Sequence, residues 1–224
     1  VQLRAKIDAF QPQLTKKNEV EARRVIGFLR REVAALAATD FFPGKARAQI
    51  EEVLAGAESA LNTRFSTDEP HAARGKIARR ALSDYRARIW ATREKLWIDR
   101  VCSAWLIRRF IDQKAKFRWL KDVNDCPKSA VGFDFDGAVF THVGHKVTFE
   151  VLLASFGLEA DVGLARLASL VHYLDIGGIP VDEAAGFATV MAGARAMKKG
   201  DDVLLEMMTP VLDSFYAAFR AEKS

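Results

Sequence analysis

The chain has 224 residues, half of them hydrophobic and 28% charged, with a net charge of +5. This balance fits one large or two small folded domains and excludes disordered and collagen-like classes. No apolar run approaches the roughly 20 residues of a membrane span, no leader pattern opens the chain, and two cysteines without CxxC spacing make no disulfide framework, which points to a reducing, cytoplasmic setting.

The first third reads as helix. Val20, Ile26, Phe28, Leu29, Val33 and Leu36 recur at helical spacing, with Arg and Glu between them. Asp40-Phe41-Phe42-Pro43-Gly44 breaks the pattern, and Ile50, Val53, Leu54 and Leu61 resume it. Two helices joined by a Pro-Gly loop form an antiparallel hairpin, a helical arm over residues 1–66. Residues 67–87, with Pro70, His71 and Gly75, read as a linker. The chain begins at Val1 rather than Met, as a piece of a longer protein would.

The period then changes. Arg86 to Thr92 alternates as a short strand, Asp99 is placed to cap a helix running to Asp112, and Lys116–Leu120 and Ala130–Phe135 read as two further strands. Gly137 to Val147 reads as a hairpin turning at Val143-Gly144-His145, and Thr148 as the cap of a short helix ending at Gly157. Helices near 160–175, 181–197 and 201–222 complete the chain. The expected fold is α+β: a helical hairpin, then over residues 88–224 a small sheet covered by helices, with a helical C-terminus.

Three features could carry chemistry. Arg100 falls in the opening turn of a helix, where the macrodipole already presents positive charge, so it calls for an anion or a carboxylate. Arg93, at the end of a strand, could join it; two guanidinium forks and the N–H groups of a helix end suit a tetrahedral dianion. The alternative is pairing of Arg100 with a nearby acid. His142 stands at a strand end beside a glycine turn and could point into a cleft, with Glu150 in the first turn of the next helix. A two-residue turn would put His142 and Val147 on one face, whereas a three-residue loop would pair it with Lys146 instead. His172 and Asp175 are neighbours on a helix whose apolar stripe includes Asp175. A carboxylate there needs a metal or an arginine, unless Gly177-Gly178 leave it in a solvated loop. Two histidines and two carboxylates suit Mn, Fe or Zn better than Mg or Ca.

Two decoys are set aside. Phe133-Asp134-Phe135-Asp136-Gly137 resembles the DxDG nucleophile loop of haloacid-dehalogenase phosphatases, but a hairpin and then only helices are expected after it, where those enzymes need a long parallel sheet. Cys102 lies in an apolar helical stretch and reads as a small core residue.

Taken together, Trp90-Ala91-Thr92-Arg93, the run from Asp99 to Asp112, Phe140-Thr141-His142-Val143-Gly144, Thr148-Phe149-Glu150 and Val171-His172 with Asp175 resemble the chromate-resistance protein B (ChrB) family. The resemblance covers residues 88 to 220, and Thr39 to Pro43 resembles that family's middle region. It implies a chromate-responsive regulator of an efflux operon, commonly dimeric, that contacts DNA through a winged-helix-like segment absent from this chain. A family cysteine two residues before the Phe-Glu pair is Val147 here. The first functional expectation is therefore a sensor domain holding chromate or a related oxyanion among Arg93, Asp99, Arg100 and His142. The second is a Mn, Fe or Zn enzyme built on His142, Glu150, His172 and Asp175, of the superoxide-dismutase-like kind attributed to some family members. A third is an interaction module or homodimer, which exposure of Trp97 or Phe117 would favour.

Overall fold

The computed structural model describes residues 70–221 except 74, 178 and 198, together with positions 25, 28, 29, 32, 33, 49, 50, 53, 54 and 57. Two compact units divide the chain: residues 1–69 with 176–185, and residues 70–175 with 186–224. In the first unit the described positions before residue 58 are helical, and Leu29, Leu54 and Ala57 are buried. The expected hairpin over residues 1–66 otherwise lies outside the described residues.

The second unit is built on three parallel strands in the order β2-β1-β3, where β1 is Ile89–Arg93, β2 is Lys116–Leu120 and β3 is Val131–Gly132. Trp90, Ala91 and Thr92 are fully buried, as a central strand covered on both faces requires. β2, at the edge, alternates exposed Lys116 and Arg118 with half-buried Phe117 and Trp119. The crossover from β1 to β2 is helix α1, Ile98–Leu106, every residue of which is buried; a π-helical turn, Ile107–Ile111, extends it. That turn stops at Asp112. Its buried carboxylate accepts hydrogen bonds from the amides of Ala87, Arg88 and Lys114 and from the Trp90 indole, at 2.8, 2.9, 3.1 and 3.1 Å. Four donors satisfy a charge that would otherwise be costly to bury, and they tie the start of β1 to the end of the crossover.

Four helices follow: α2 (Thr148–Phe156), α3 (Val162–Asp175), α4 (Ala184–Ala196) and α5 (Asp201–Ala221). α1 packs against α2, α3 and α5. The Trp105 indole and Arg109 both donate to Asp213 on α5, and the Tyr216 hydroxyl donates to Asp161 before α3. Gly157, left-handed at φ 72°, ends α2 where the sequence placed its stop. No helix among the described residues is long and apolar enough to cross a membrane.

The expected strand over 130–135 and hairpin over 137–147 take another form. β3 keeps two residues, and beyond it Phe133 makes a single parallel bridge to Phe140. The reason is Asp134, whose left-handed backbone at φ 57° turns its side chain inward and breaks the strand's alternation. Only the tight turn survives: Val143 and Lys146 exchange both backbone hydrogen bonds at 3.0 Å around Gly144-His145.

Candidate functional site

Five segments converge beyond the C-terminal ends of β1 and β3, the place where open parallel sheets present ligand-binding residues. Arg93 ends β1, and Asp134 follows β3 by two residues. Asp99 and Arg100 sit in the first turn of α1, His142 precedes the tight turn, and Asp175 is the last residue of α3. All six side chains are at least nine-tenths buried.

His142 is the hub of the acids. Its Nε2 lies 3.2 Å from Asp99 Oδ2, 3.4 Å from Asp134 Oδ1 and 3.6 Å from Asp175 Oδ2. Burial alone would lower the imidazole, but contact with Asp134, the hydrogen bond to Asp99, and the charges of Asp99 and Asp175 push it up from 6.5 to about 11. That rise favours the imidazolium form, in which Nε2 donates. Burial raises Asp99 above the ordinary 3.8, and the neighbouring Asp134 charge adds to the rise. Burial acts upward on Asp134 too, yet His142, Arg100 and Arg93 outweigh it and hold that carboxyl below 3.8.

Asp134 is the hub of the cations. Arg100 Nε stands 3.3 Å and Arg93 Nη2 3.6 Å from its Oδ2, while Arg93 also donates to the Asp134 carbonyl at 3.1 and 3.3 Å. Arg100 Nη1 donates to the Glu94 carbonyl at 3.0 Å, and the Thr148 hydroxyl donates to Asp134 Oδ1 at 2.9 Å. Arg100 thus meets the carboxylate of Asp134. As ionised groups, three carboxylates balance two guanidiniums and one imidazolium.

Asp99 does not cap its own helix, which starts after Trp97 with no side-chain cap. It caps α2 instead: Oδ2 accepts from the Thr148 amide at 2.8 Å and Oδ1 from the Phe149 amide at 2.9 Å and the Ser103 hydroxyl at 3.0 Å. A charged residue reads as the cap of the helix next to it in sequence, whereas the amides it meets lie about fifty positions away. Thr148, expected as the cap, is the first residue of α2 and turns its hydroxyl to Asp134.

The four expected metal ligands fall into two pairs. His142 and Asp175 join Asp99 in a group whose ligand atoms all lie within 4.8 Å of one another. Glu150 and His172 instead hydrogen-bond each other at 2.8 Å, and Glu150 also accepts from the Val147 amide, so this pair fastens α2 to α3. Asp175 is buried at the helix end, not in a solvated loop. Asp134 is the residue that sequence reasoning missed. It lies within the DxDG-like decoy, and an acid between Phe133 and Phe135 in an apolar strand-like run is the signal the sequence offers. The donor chemistry of Asp99, His142 and Asp175, two carboxylates and one imidazole, suits a divalent cation of the Mn, Fe or Zn class.

Other sequence readings resolve plainly. Cys102 is buried in α1. Trp97 is buried, with the Arg195 guanidinium 4.7 Å from its ring, and Phe117 is half-buried against Trp119 and Arg108.

A family profile described as "ChrB, C-terminal domain" matches residues 90–219. Protein ChrB of Cupriavidus metallidurans (strain ATCC 43123 / DSM 2839 / NBRC 102507 / CH34) is 50% identical over 210 residues, which make up 94% of this chain. The chain spans 65% of that relative's length. No solved structure matches it.

Proposed function

The chain belongs to the ChrB family, and from that premise we propose that residues 88–224 form the ligand-sensing domain of a chromate-responsive regulator, with a divalent cation held by Asp99, His142 and Asp175 at its centre. One observation carries this reading: three buried carboxylates surround a single imidazole, all within 3.6 Å of its Nε2. With a proton on His142 the three carboxylates, two guanidiniums and imidazolium are neutral together, and a divalent cation is another species that could compensate the carboxylates. Exchanging that proton for a cation leaves one positive charge over, which an oxyanion would balance. Asp134, braced by Arg93 and Arg100, would then keep those guanidiniums beside the anion while Asp99 keeps α2 in place. The cation would supply Lewis acidity and an anion-binding position. DNA contact falls to a winged-helix-like segment outside this chain.

The test is metal analysis of protein purified without chelators. Stoichiometric Mn, Fe or Zn is expected, lost in His142→Ala and in Asp175→Ala, and metal-free protein should gain thermal stability when the ion is restored. Protein that refuses all three ions at neutral pH overturns the reading. If metal is present, superoxide turnover separates an enzyme of the superoxide-dismutase-like kind from a sensor.

A second reading places the oxyanion directly on Arg93 and Arg100, with Asp99 and His142, and no metal. It is favoured by the convergence of two buried guanidiniums and weakened by the carboxylate already between them. Calorimetry with chromate on metal-free protein decides it. Binding lost in Arg93→Ala and Arg100→Ala supports it, and affinity unchanged in both ends it.

A further inference from the structure

Residues 70–80 run along the outside of the second unit as a strap, and we infer that this strap is the element that reports occupancy of the buried centre. The inference rests on the cation reading above. Three attachments connect strap and centre: one at the backbone of a site residue, one two residues from a site residue, and one through a helix that a site residue caps. Ala73 makes a parallel bridge to Val143: its amide donates to the carbonyl of His142 at 2.8 Å, and its carbonyl accepts from Gly144 at 3.0 Å. The same His142 presents its imidazole to the three carboxylates, so a shift of that ring moves the peptide that holds Ala73. His71 bonds the Asp136 carboxylate twice, from its amide at 2.6 Å and through Nδ1 at 2.7 Å, and Asp136 stands two residues after Asp134.

The third attachment passes through α2. Asp99 of the centre caps the N-terminus of that helix. At its other end the Ala154 carbonyl accepts from the Arg79 guanidinium at 2.6 Å, and the Ser155 carbonyl accepts from the Arg80 amide at 2.7 Å. One helix is thus gripped by a site carboxylate at one end and by the strap at the other.

The strap has the physical character of an element that opens on its own. Nearly all its described residues between His71 and Arg80 are exposed, so hydrogen bonds rather than apolar burial hold it, and such segments sit at the low end of local stability.

Amide hydrogen exchange of the full chain, with and without Mn²⁺ or Zn²⁺ and with metal content measured in parallel, tests this. Loading should slow the Ala73, Arg80 and Gly144 amides by about fivefold or more, the scale of a typical coupling, while amides in the C-terminal half of α5 stay unchanged. Because coupling is reciprocal, His71→Ala, which weakens the strap through Asp136 alone, should weaken metal binding measurably, by up to that factor. If metal binds but these amides and the His71→Ala affinity do not change, the strap is a passive tether and the cation reading stands. Slowing spread evenly over the whole chain also overturns the strap's role. Protein that binds no metal removes both.

Discussion

Replacing Asp134 isolates the energetics of the centre. The side chain is fully buried and meets two guanidiniums, an imidazolium and the Thr148 hydroxyl. Asp134→Asn keeps the shape, the tolerance of a left-handed backbone and an oxygen for Thr148, and removes the charge alone. Taking one partner from a buried ion pair costs about 3–5 kcal/mol, and because Asn retains those other features the lower end applies, about 3 kcal/mol. Asp134→Ala adds the loss of the Thr148 bond, about 1 kcal/mol, and a left-handed conformation that costs a β-carbon about 1–2 kcal/mol. The alanine variant should therefore be about 5 kcal/mol less stable, which approaches the entire stability of an ordinary domain. For a chain of this size the asparagine variant should melt about 6–12 °C lower. Urea unfolding followed by tryptophan fluorescence, in chelator so that metal does not contribute, measures both. An asparagine variant within about 1 kcal/mol of the parent would show that Asp134 does not hold the buried cations as described.

Two further outcomes are expected from the titrating groups. Burial, with the Asp99 and Asp175 charges, pushes the Cys102 thiol well above 9.0, while burial raises half-buried Cys126 less steeply. Alkylation followed by peptide mapping should label Cys126 in native protein and Cys102 only on unfolding; early modification of Cys102 would contradict the packing of α1. The hydrogen bond from His71 holds the Asp136 carboxyl below its ordinary 3.8. A depressed carboxyl contributes stability that is present above its unfolded value and lost as pH falls through its folded value. With both partners well exposed, that contribution is small and best seen by NMR titration. The Asp136 midpoint should return toward 3.8 in His71→Ala, and a midpoint unmoved by that change would remove the strap's attachment at Asp136.

The centre also shows why an arginine pair is an ambiguous sign in a sequence. Arg93 and Arg100 do come together, as an anion site requires, but a carboxylate of the same chain stands between them. Spacing shows that two guanidiniums can meet. Whether they meet a ligand or an internal acid depends on a third segment, and here that segment, at Asp134, lies 41 residues beyond Arg93.

The local pattern by itself determined the helices after residue 147, the strand at Lys116–Leu120 and the family, because helical periodicity, glycine stops and strand alternation are properties of neighbouring residues. It also marked Asp175 as a carboxylate in an apolar stripe and His142 as a histidine at a strand end beside a glycine turn. Only the tertiary structure decided that the sheet is parallel, that Asp99 caps α2 across the core, that Glu150 and His172 pair with each other, and that Asp134 joins the acids of the centre to its cations. The physical reason is common to all four. A buried charge is settled by whichever donors the fold brings within about 3 Å, and those donors come from segments with no periodic relation to it.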